Sequence, residues 1–367
     1  MTTAKAAVFV KPGGAFEVRD FTLPAPDKGL ALVKMLASGI CGTDIHIVEG
    51  KIGVPMLPMV IGHEFVGEIV GIDPRDSAAS GLRAGDRVIV SVVKVCGECA
   101  MCQTGESATC HNLGVTYFHA PDVPPHLFGG YADHTYAPVA NLLKIPDDIP
   151  AKTAAIFACA GPTVINAFRC CGGPRFQNDT LVVQGLGPVG LFVVLYARAH
   201  GVDNIVAIST GRNAKRQELA MALGASHVIS IADTSREQRI QQVMDISGGF
   251  GADCVVEASG NPDAFTEGMD MLRSRGVYLV PGLYSDRGEI AIKPHQITFK
   301  ALQIIGSAQF SSNDQAEYIS FLRAHDMHWP AIDAVCTHEW TIDDVNTAID
   351  TCRKGESVKA IFVNNSH

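Results

Sequence analysis

The middle of the chain alternates short apolar runs with longer stretches that are typical of helices. Apolar runs at residues 180–184 and 204–209 are followed by helix-like stretches at 189–200 and 215–223. Further short strands are predicted at 227–231, 252–257 and 277–280. Strands that alternate with helices indicate βαβ units and a parallel sheet, so the predicted fold class is α/β.

The sequence on either side of this region has a different pattern. Short β-rich runs such as 66–72 and 87–92 are separated by Gly, Pro and Asp, which predicts a strand-rich domain. The chain has 367 residues, and single cores stop growing near roughly 250 to 300 residues, so two domains are expected. After about residue 300 the pattern becomes mixed again. We therefore predict one domain from 1–160 together with 301–367 and a second from 161–300.

Composition narrows the range of functions. The formal net charge is -9 and the basic residues are scattered, which argues against a nucleic-acid partner. No apolar run reaches the roughly 18 residues of a membrane span, and the N-terminus lacks a signal-peptide pattern, so we expect a soluble, cytoplasmic protein. The eleven cysteines are an odd number, which favours thiolate metal ligands over a disulfide framework.

Four cysteines lie close together in one glycine-containing loop. Cys96, Cys99, Cys102 and Cys110 are separated by three, three and eight positions, a spacing that can close tetrahedrally on one zinc ion. Unrelated loop cysteines or an iron–sulfur site are the alternatives. Four thiolates leave no open position, so this zinc would be structural.

A second set of candidate ligands includes Cys41, His63 and the adjacent carboxylate of Glu64. Cys159 is the predicted third protein ligand, because it lies at the junction between the two predicted domains. Three protein ligands with one open position are typical of catalytic zinc. Taken singly, His63 could be a core histidine and Cys41 a small buried apolar residue. The other five cysteines show no ligand spacing, and no role is assigned to them.

A dinucleotide-binding motif follows the strand at 180–184. It is formed by Gly185, Leu186, Gly187, Pro188, Val189 and Gly190. The first glycine permits a tight turn, the second lets backbone amides approach a pyrophosphate, and the third lets helix and strand pack closely. The helix N-terminus then faces the phosphates.

The end of the second strand of this unit bears on the choice of cofactor. A carboxylate there would chelate the ribose 2′-hydroxyl of NAD, but the strand continues into Gly211 and Arg212. Arg212, Lys215 and Arg216 make the site permissive for a 2′-phosphate. They could instead be solvated charges at a helix start. NADP is favoured, and NAD remains open.

These motifs together resemble the zinc-containing medium-chain alcohol dehydrogenase family, which includes alcohol, polyol and threonine dehydrogenases, over nearly the whole chain. The resemblance implies a doubly wound Rossmann domain, a GroES-like catalytic domain, two zinc ions per subunit and a homodimer or homotetramer. It implies that Cys41, His63 and Cys159 bind catalytic zinc and that Glu64 can approach this metal. It also implies that Cys96, Cys99, Cys102 and Cys110 bind structural zinc.

The same resemblance implies roles for four further residues. Thr43 would accept the proton of the substrate hydroxyl, and His46 would pass it to solvent through the cofactor ribose. Thr163 would pack near the nicotinamide and Lys359 would lie near the pyrophosphate. Gly211 departs from the family, because members that prefer NAD have an acidic residue there.

The predicted activity is reversible hydride transfer between a small alcohol and NAD(P), with a carbonyl compound as the oxidised partner. A secondary alcohol and a polyol are the candidate substrates. The alternatives are a zinc-free medium-chain reductase of activated double bonds and a non-catalytic NADP(H) redox sensor. Residues 114–130 follow no recognised pattern, and either a substrate-pocket lining or a surface loop would account for them.

Overall fold

The computed structural model describes residues 2–172, 180–283, 285 and 288–364. Its strands are β1 Thr2–Val8, β2 Glu17–Leu23, β3 Leu30–Gly39, β4 Glu64–Ile72, β5 Arg87–Val90, β6 Val93–Lys94, β7 Gly114–Val115, β8 His134–Pro138, β9 Leu142–Lys144, β10 Thr180–Gln184, β11 Asn204–Ser209, β12 His227–Ser230, β13 Ala252–Glu257, β14 Leu272–Val280, β15 Gln303–Gly306, β16 Cys336–Trp340 and β17 Lys359–Val363.

Its helices are α1 Gly42–Val48, α2 Pro74–Ser80, α3 Ala100–Gln103, α4 Ala151–Ile156, α5 Ala160–Cys170, α6 Pro188–Ala199, α7 Ala214–Ala222, α8 Arg236–Ile246, α9 Pro262–Met271, α10 Pro294–Lys300, α11 Ser312–Ala324, α12 Trp329–Val335 and α13 Val345–Arg353. Short 3-10 turns occur at Ser107–Thr109, Val139–Asn141, Ile231–Asp233, Asp326–His328 and Ile342–Asp344. No helix within the described ranges is both long enough and apolar enough to cross a membrane.

The chain divides into two compact units. The first comprises Met1–Cys159, Ser311–Trp329 and Cys336–His367, and the second comprises Ala160–Phe310 and Pro330–Val335. The predicted boundary at residue 300 differs from this division, because β15 pairs in parallel with β14 and belongs to the second unit. β15 has only four residues and is largely exposed, so no buried apolar run reveals it in the sequence.

A mixed sheet forms the frame of the first unit. Its strand order is β16-β17-β3-β4-β5-β9, and β8 pairs with β3. The β3–β4 ladder is antiparallel and aligns Gly39 with Glu64. Helix α4 packs against both strands. This ladder therefore brings together the chain segments that follow β3 and precede β4.

A six-stranded parallel sheet forms the centre of the second unit. Its order is β12-β11-β10-β13-β14-β15, which is the doubly wound 3-2-1-4-5-6 arrangement. β10 is buried along its whole length, as expected for a strand covered on both faces. Helix α6 begins with Pro188 in its first turn and follows the cap residue Gly187. The strands predicted at 180–184, 204–209 and 252–257 match β10, β11 and β13 and confirm the α/β fold.

Candidate metal centres and cofactor site

Four thiols of the first unit form a compact group. The Sγ atoms of Cys96, Cys99, Cys102 and Cys110 lie within 4.8 Å of one another. Cys99 and Cys102 are 3.6 Å apart, as are Cys96 and Cys110. A tetrahedral ion with zinc–sulfur bonds of about 2.3 Å requires sulfur separations of about 3.8 Å. The group therefore has the dimensions of a four-thiolate zinc site.

The surroundings of this group shift the pKa values of two of its thiols in opposite directions. The two-residue ladder between β6 and β7 closes the loop at its base. Hydrogen bonds from backbone N–H groups lower the pKa of Cys96 to about 6. Burial raises the pKa of Cys102 to about 12. A bound cation would favour loss of the Cys102 proton.

A second group is formed by three residues that come from different elements. Cys41 caps α1, His63 directly precedes β4, and Cys159 follows α4. Their ligand atoms lie within 4.8 Å of one another, and each residue is half-buried. A hydrogen bond from Cys159 and the charge of His63 hold the pKa of Cys41 well below its usual value, against the effect of burial. The group offers two sulfur donors and one imidazole.

Asp44 contacts two residues of this second group, and the sequence analysis did not identify it. Its Oδ1 lies 3.1 Å from His63 Nδ1, at ion-pair distance but without hydrogen-bond alignment. Its Oδ2 accepts the Cys41 backbone N–H at 2.9 Å. A carboxylate beside Nδ1 leaves Nε2 as the metal-binding nitrogen, which is a common arrangement for zinc-bound histidine. The sequence does offer one sign of its role, because Asp44 stands three residues after Cys41, which caps α1.

Glu64 and Lys359 form a buried ion pair beside the second group. Lys359 Nζ contacts Glu64 Oε2 and donates to the Ile40 carbonyl at 3.2 Å, and both side chains are at most 1% exposed. Burial raises the pKa of Glu64 to about 7, although Lys359 opposes this shift. Burial alone would lower the pKa of Lys359, but the Glu64 carboxylate and the Cys41 thiolate raise it.

This pair bears on two predictions, and both stay predictions. Lys359 is predicted near the cofactor pyrophosphate, and its buried ammonium contacts Glu64. Glu64 is predicted to approach the metal; its Oε2 contacts Lys359, and it lies outside the compact group of Cys41, His63 and Cys159. The sequence could not reveal the pair, because its members are 295 positions apart.

Thr43 and His46 stand on α1, three residues apart, and therefore on one face of the helix. Thr43 Oγ1 lies 3.8 Å from Cys41 Sγ, and His46 is half-buried. The hydroxyl thus lies beside the second ligand group. The imidazole follows one helical turn further along.

The dinucleotide loop has the geometry that its glycines predict. Gly185 has φ +97°, and a Cβ there would lie 2.9 Å from the Ser259 backbone. A Cβ at Gly190 would overlap the Gly185 carbonyl oxygen. Around a Cβ placed at Gly187, by contrast, the described part of the chain puts only Arg216 Nη1 within 4 Å, at 3.9 Å. The loop is therefore closed at its two ends and open at its centre, where backbone amides could meet a phosphate.

The end of β11 lies beside this loop. Gly211 has φ +77°, and a Cβ there would collide with the Ser230 hydroxyl. Arg216 Nη1 donates to the Leu186 carbonyl at 3.4 Å, and the side chain of Arg212 is exposed. Lys215 pairs with Glu218 at 3.0 Å. Thr163 stands half-buried on α5 of the same unit.

The segment 114–130 packs inward at several positions. Tyr117 is 6% exposed and Leu127 is fully buried, and both belong to the core of the first unit. Burial raises the pKa of Tyr117 to about 12, and charges on His63, Asp44 and Cys41 also act on its hydroxyl. Tyr117 therefore lies within electrostatic reach of the second ligand group.

Comparison with known proteins decides the family. Residues 27–147 match the alcohol dehydrogenase GroES-like domain, and residues 188–324 match the zinc-binding dehydrogenase domain. The chain is 33% identical to 5-exo-hydroxycamphor dehydrogenase of Pseudomonas putida, with 99% of each chain covered. The chain belongs to the zinc-type medium-chain alcohol dehydrogenase family. An L-threonine 3-dehydrogenase of Pyrococcus horikoshii is 30% identical, with 98% of each chain covered.

Solved structures agree with this family assignment. An alcohol dehydrogenase from Thermotoga maritima superposes with a TM-score of 0.91 at 28% identity, covering 99% of this chain and 100% of that one. The fold of this alcohol dehydrogenase therefore combines a GroES-like part with a Rossmann sheet. It is an oxidoreductase that acts on CH–OH groups with a nicotinamide cofactor. Its relatives favour neither the zinc-free reductase nor the redox sensor.

Proposed function

We propose that this alcohol dehydrogenase holds two zinc ions per subunit, uses NADP in preference to NAD, and interconverts a secondary alcohol and a ketone. The observation that carries this proposal is the convergence of Cys41, His63 and Cys159 within 4.8 Å in the same unit as a separate four-thiol group. Three protein ligands leave one coordination position for substrate, whereas four leave none. We assign the catalytic role to the group of Cys41, His63 and Cys159 and a structural role to the four-thiol group.

The donor set of the catalytic group suits zinc. Two thiolates and an imidazole are ligands that zinc prefers over calcium or magnesium. Asp44 beside His63 Nδ1 orients the ring and makes it a better ligand. When bound there, zinc acts as a Lewis acid that lowers the pKa of a coordinated alcohol.

Residues of α1 are placed to handle the proton. We propose that Thr43 Oγ1 accepts the proton of the substrate hydroxyl while it gives up its own proton, and that the imidazole of His46 passes a proton to solvent. Thr43 lies beside Cys41, and His46 shares its helix face. Histidine titrates near neutral pH and can take and release this proton without a permanent charge. His46→Ala should therefore slow turnover more than it weakens substrate binding, and unchanged turnover at every pH would contradict the assignment.

The second unit provides the cofactor site, and the nicotinamide supplies the hydride acceptor when bound. Gly185, Gly187 and Gly190, with Leu186, Pro188 and Val189 between them, place the α6 N-terminus where it can bind a pyrophosphate. Around Gly211, the Arg212 side chain is exposed and Arg216 donates to the Leu186 carbonyl, and we propose that these two cations bind a 2′-phosphate. The placement of Thr163 near the nicotinamide remains a prediction.

The named substrates of the relatives support a secondary alcohol. Both 5-exo-hydroxycamphor and L-threonine carry a secondary hydroxyl, and the relatives named for them match along nearly the whole chain. Tyr117 supplies an inward-facing ring near the catalytic group and would form part of the substrate wall. Pockets of this kind are mostly apolar with a few polar groups.

We further propose that the enzyme works in the cytoplasm as a homodimer or homotetramer. Its seven thiol or imidazole ligands bind zinc only while the cysteines remain reduced. Symmetric homo-oligomers are the commonest assemblies among soluble enzymes. Light scattering of the purified protein would give the mass of the assembly.

The first experiment is elemental analysis of zinc per subunit, combined with NAD and NADP titrations of the same samples. The unmodified protein should hold two zinc ions, and Cys159→Ala should hold one. Cys170→Ala, on the exposed end of α5, is the control and should retain both. One zinc in the unmodified protein, unaffected by Cys159→Ala and by added metal, would contradict the proposal.

A further inference from the structure

The hydroxyl of a buried tyrosine is hydrogen-bonded to a carboxylate that contacts two residues of the catalytic group. The side chain of Tyr131 is fully buried, and its hydroxyl donates to Asp44 Oδ2 at 2.8 Å. The same oxygen accepts the Cys41 backbone N–H at 2.9 Å, while Asp44 Oδ1 faces His63 Nδ1 at 3.1 Å. One carboxylate therefore connects Tyr131 to two of the three ligand residues.

We propose that Tyr131 is a positioning residue for the metal held by Cys41, His63 and Cys159. Its hydroxyl, together with the Cys41 amide, fixes Oδ2 of Asp44, so that Oδ1 is directed at His63. The imidazole then keeps the orientation in which Nε2 points to the metal. This inference rests on the proposed function, because it requires zinc at this group.

The ring of Tyr131 is held independently of its hydroxyl. Its backbone N–H donates to the Ile61 carbonyl at 2.9 Å, and its ring packs edge-on against Phe362 with centroids 4.9 Å apart. The ring also occupies the space that a Cβ at Gly62 would need, next to His63. Replacing Tyr131 by phenylalanine thus removes one hydrogen bond and leaves the surrounding packing in place.

Loss of the hydroxyl leaves the Cys41 N–H as the one hydrogen-bond donor to Asp44 Oδ2 among the residues that the structure describes. The carboxylate then gains freedom to rotate, because its terminal torsion is broad. Burial also keeps the phenol protonated, since it raises the pKa of Tyr131 well above its usual value. The hydroxyl is thus a donor to Asp44 across the working pH range.

The test is zinc affinity of the full-length Tyr131→Phe protein at the catalytic group. Loss of a residue that orients a metal ligand typically weakens metal binding about 10-fold to 100-fold, and we expect a loss in that range. Tyr136→Phe is the matched control, because Tyr136 is also buried and its hydroxyl donates to the Pro24 carbonyl at 2.6 Å. Dialysis against a chelator should therefore remove one zinc from Tyr131→Phe and none from Tyr136→Phe.

Two further measurements separate positioning from general stability. Cobalt placed in the catalytic group should show an altered visible absorption spectrum in Tyr131→Phe and an unaltered one in Tyr136→Phe. Asp44→Asn should weaken zinc binding on its own, and adding Tyr131→Phe to it should change the affinity by less than about twofold, because both act through one contact. Zinc retained by the four-thiol group reports that each variant is folded.

The outcomes distinguish the two proposals. Equal zinc affinity and cobalt spectra in Tyr131→Phe and Tyr136→Phe would overturn the positioning role, as would a full additional loss in the Asp44→Asn background. If the unmodified protein lacks zinc at the catalytic group, the proposed function itself fails, and the positioning role fails with it.

Discussion

Replacement of Arg212 by alanine tests the cofactor preference most directly. The Arg212 side chain is exposed, and within the described ranges it makes no hydrogen bond or ion pair that would compete with a ligand. A hydrogen bond to a charged group contributes about 1.5 to 3 kcal/mol. Since 1.4 kcal/mol is tenfold in affinity, Arg212→Ala should weaken NADP binding about 10-fold to 140-fold. NAD has no 2′-phosphate, so its affinity should change by less than about twofold.

Lys215→Ala provides the control for this experiment. Its ammonium lies three residues further along the chain but pairs with Glu218 at 3.0 Å, so its charge is already compensated. An exposed contact between Lys215 and the 2′-phosphate would contribute about 0.2 to 1 kcal/mol, as exposed ion pairs do, so its loss should weaken NADP binding at most about fivefold. The assay is fluorescence titration of NADPH and NADH at one fixed ionic strength, because salt screens exposed charges.

Two results would refute the reasoning. Equal losses of NADP and NAD affinity in Arg212→Ala would mean that Arg212 contacts a part common to both cofactors. An equal loss in Lys215→Ala would mean that the general positive field, and not a specific contact, selects the phosphate. Gly211→Asp is a poorer test, because its left-handed backbone and the Ser230 hydroxyl would strain any side chain at that position.

Two stability predictions follow from buried or half-buried charges. Glu267 pairs with Arg239 through two hydrogen bonds of 2.7 and 2.8 Å between α8 and α9. Glu267→Ala should lower the free energy of unfolding by about 3 to 5 kcal/mol in denaturant titrations, because it leaves a buried guanidinium without its carboxylate partner. Stability restored by adding Arg239→Met supports this cause, and a loss below about 1 kcal/mol contradicts it. At Asp86, burial would raise the pKa, but hydrogen bonds from Lys144 and a backbone N–H lower it. The stabilisation of the folded state by these hydrogen bonds is present above the ordinary pKa of 3.8 and is lost as the pH falls through the lowered pKa. In urea titrations, the stability deficit of Asp86→Asn should therefore shrink below pH 3.8. A deficit that grew there would contradict the reasoning.

The sequence predicts the parallel sheet well, because the relevant information is local. β10, β11 and β13 are short, buried and bounded by glycine or turn residues, so their apolar runs mark their ends. β15 lacks these properties, since four largely exposed residues at a sheet edge carry no such pattern. The predicted boundary therefore falls at residue 300, whereas the second compact unit continues to Phe310.

The proposed ligand residues are visible in the sequence for a similar reason. Thiols at short, regular spacing and a histidine between glycine and glutamate stand out without knowledge of the fold. The residues that contact or lie beside these ligands do not stand out in the sequence. Tyr131 is 87 positions from Asp44, and Lys359 is 295 positions from Glu64, so only the fold brings each pair together. A lysine near the C-terminus looks like an exposed cation until its burial is known.

The register of one ladder explains how the catalytic group is assembled. β3 and β4 pair with Gly39 opposite Glu64, so Cys41 and His63 lie just beyond the paired ends of two neighbouring strands. A slip of one residue would move His63 by about 3.3 Å, whereas zinc sites tolerate ligand displacements of about 0.2 Å. Two register shifts within the same ladder, at Leu32/Val33 and at Met35/Ala37, contribute to this alignment. The sequence shows which side chains can bind a metal, but the pairing of β3 with β4 determines whether Cys41 and His63 can bind the same ion.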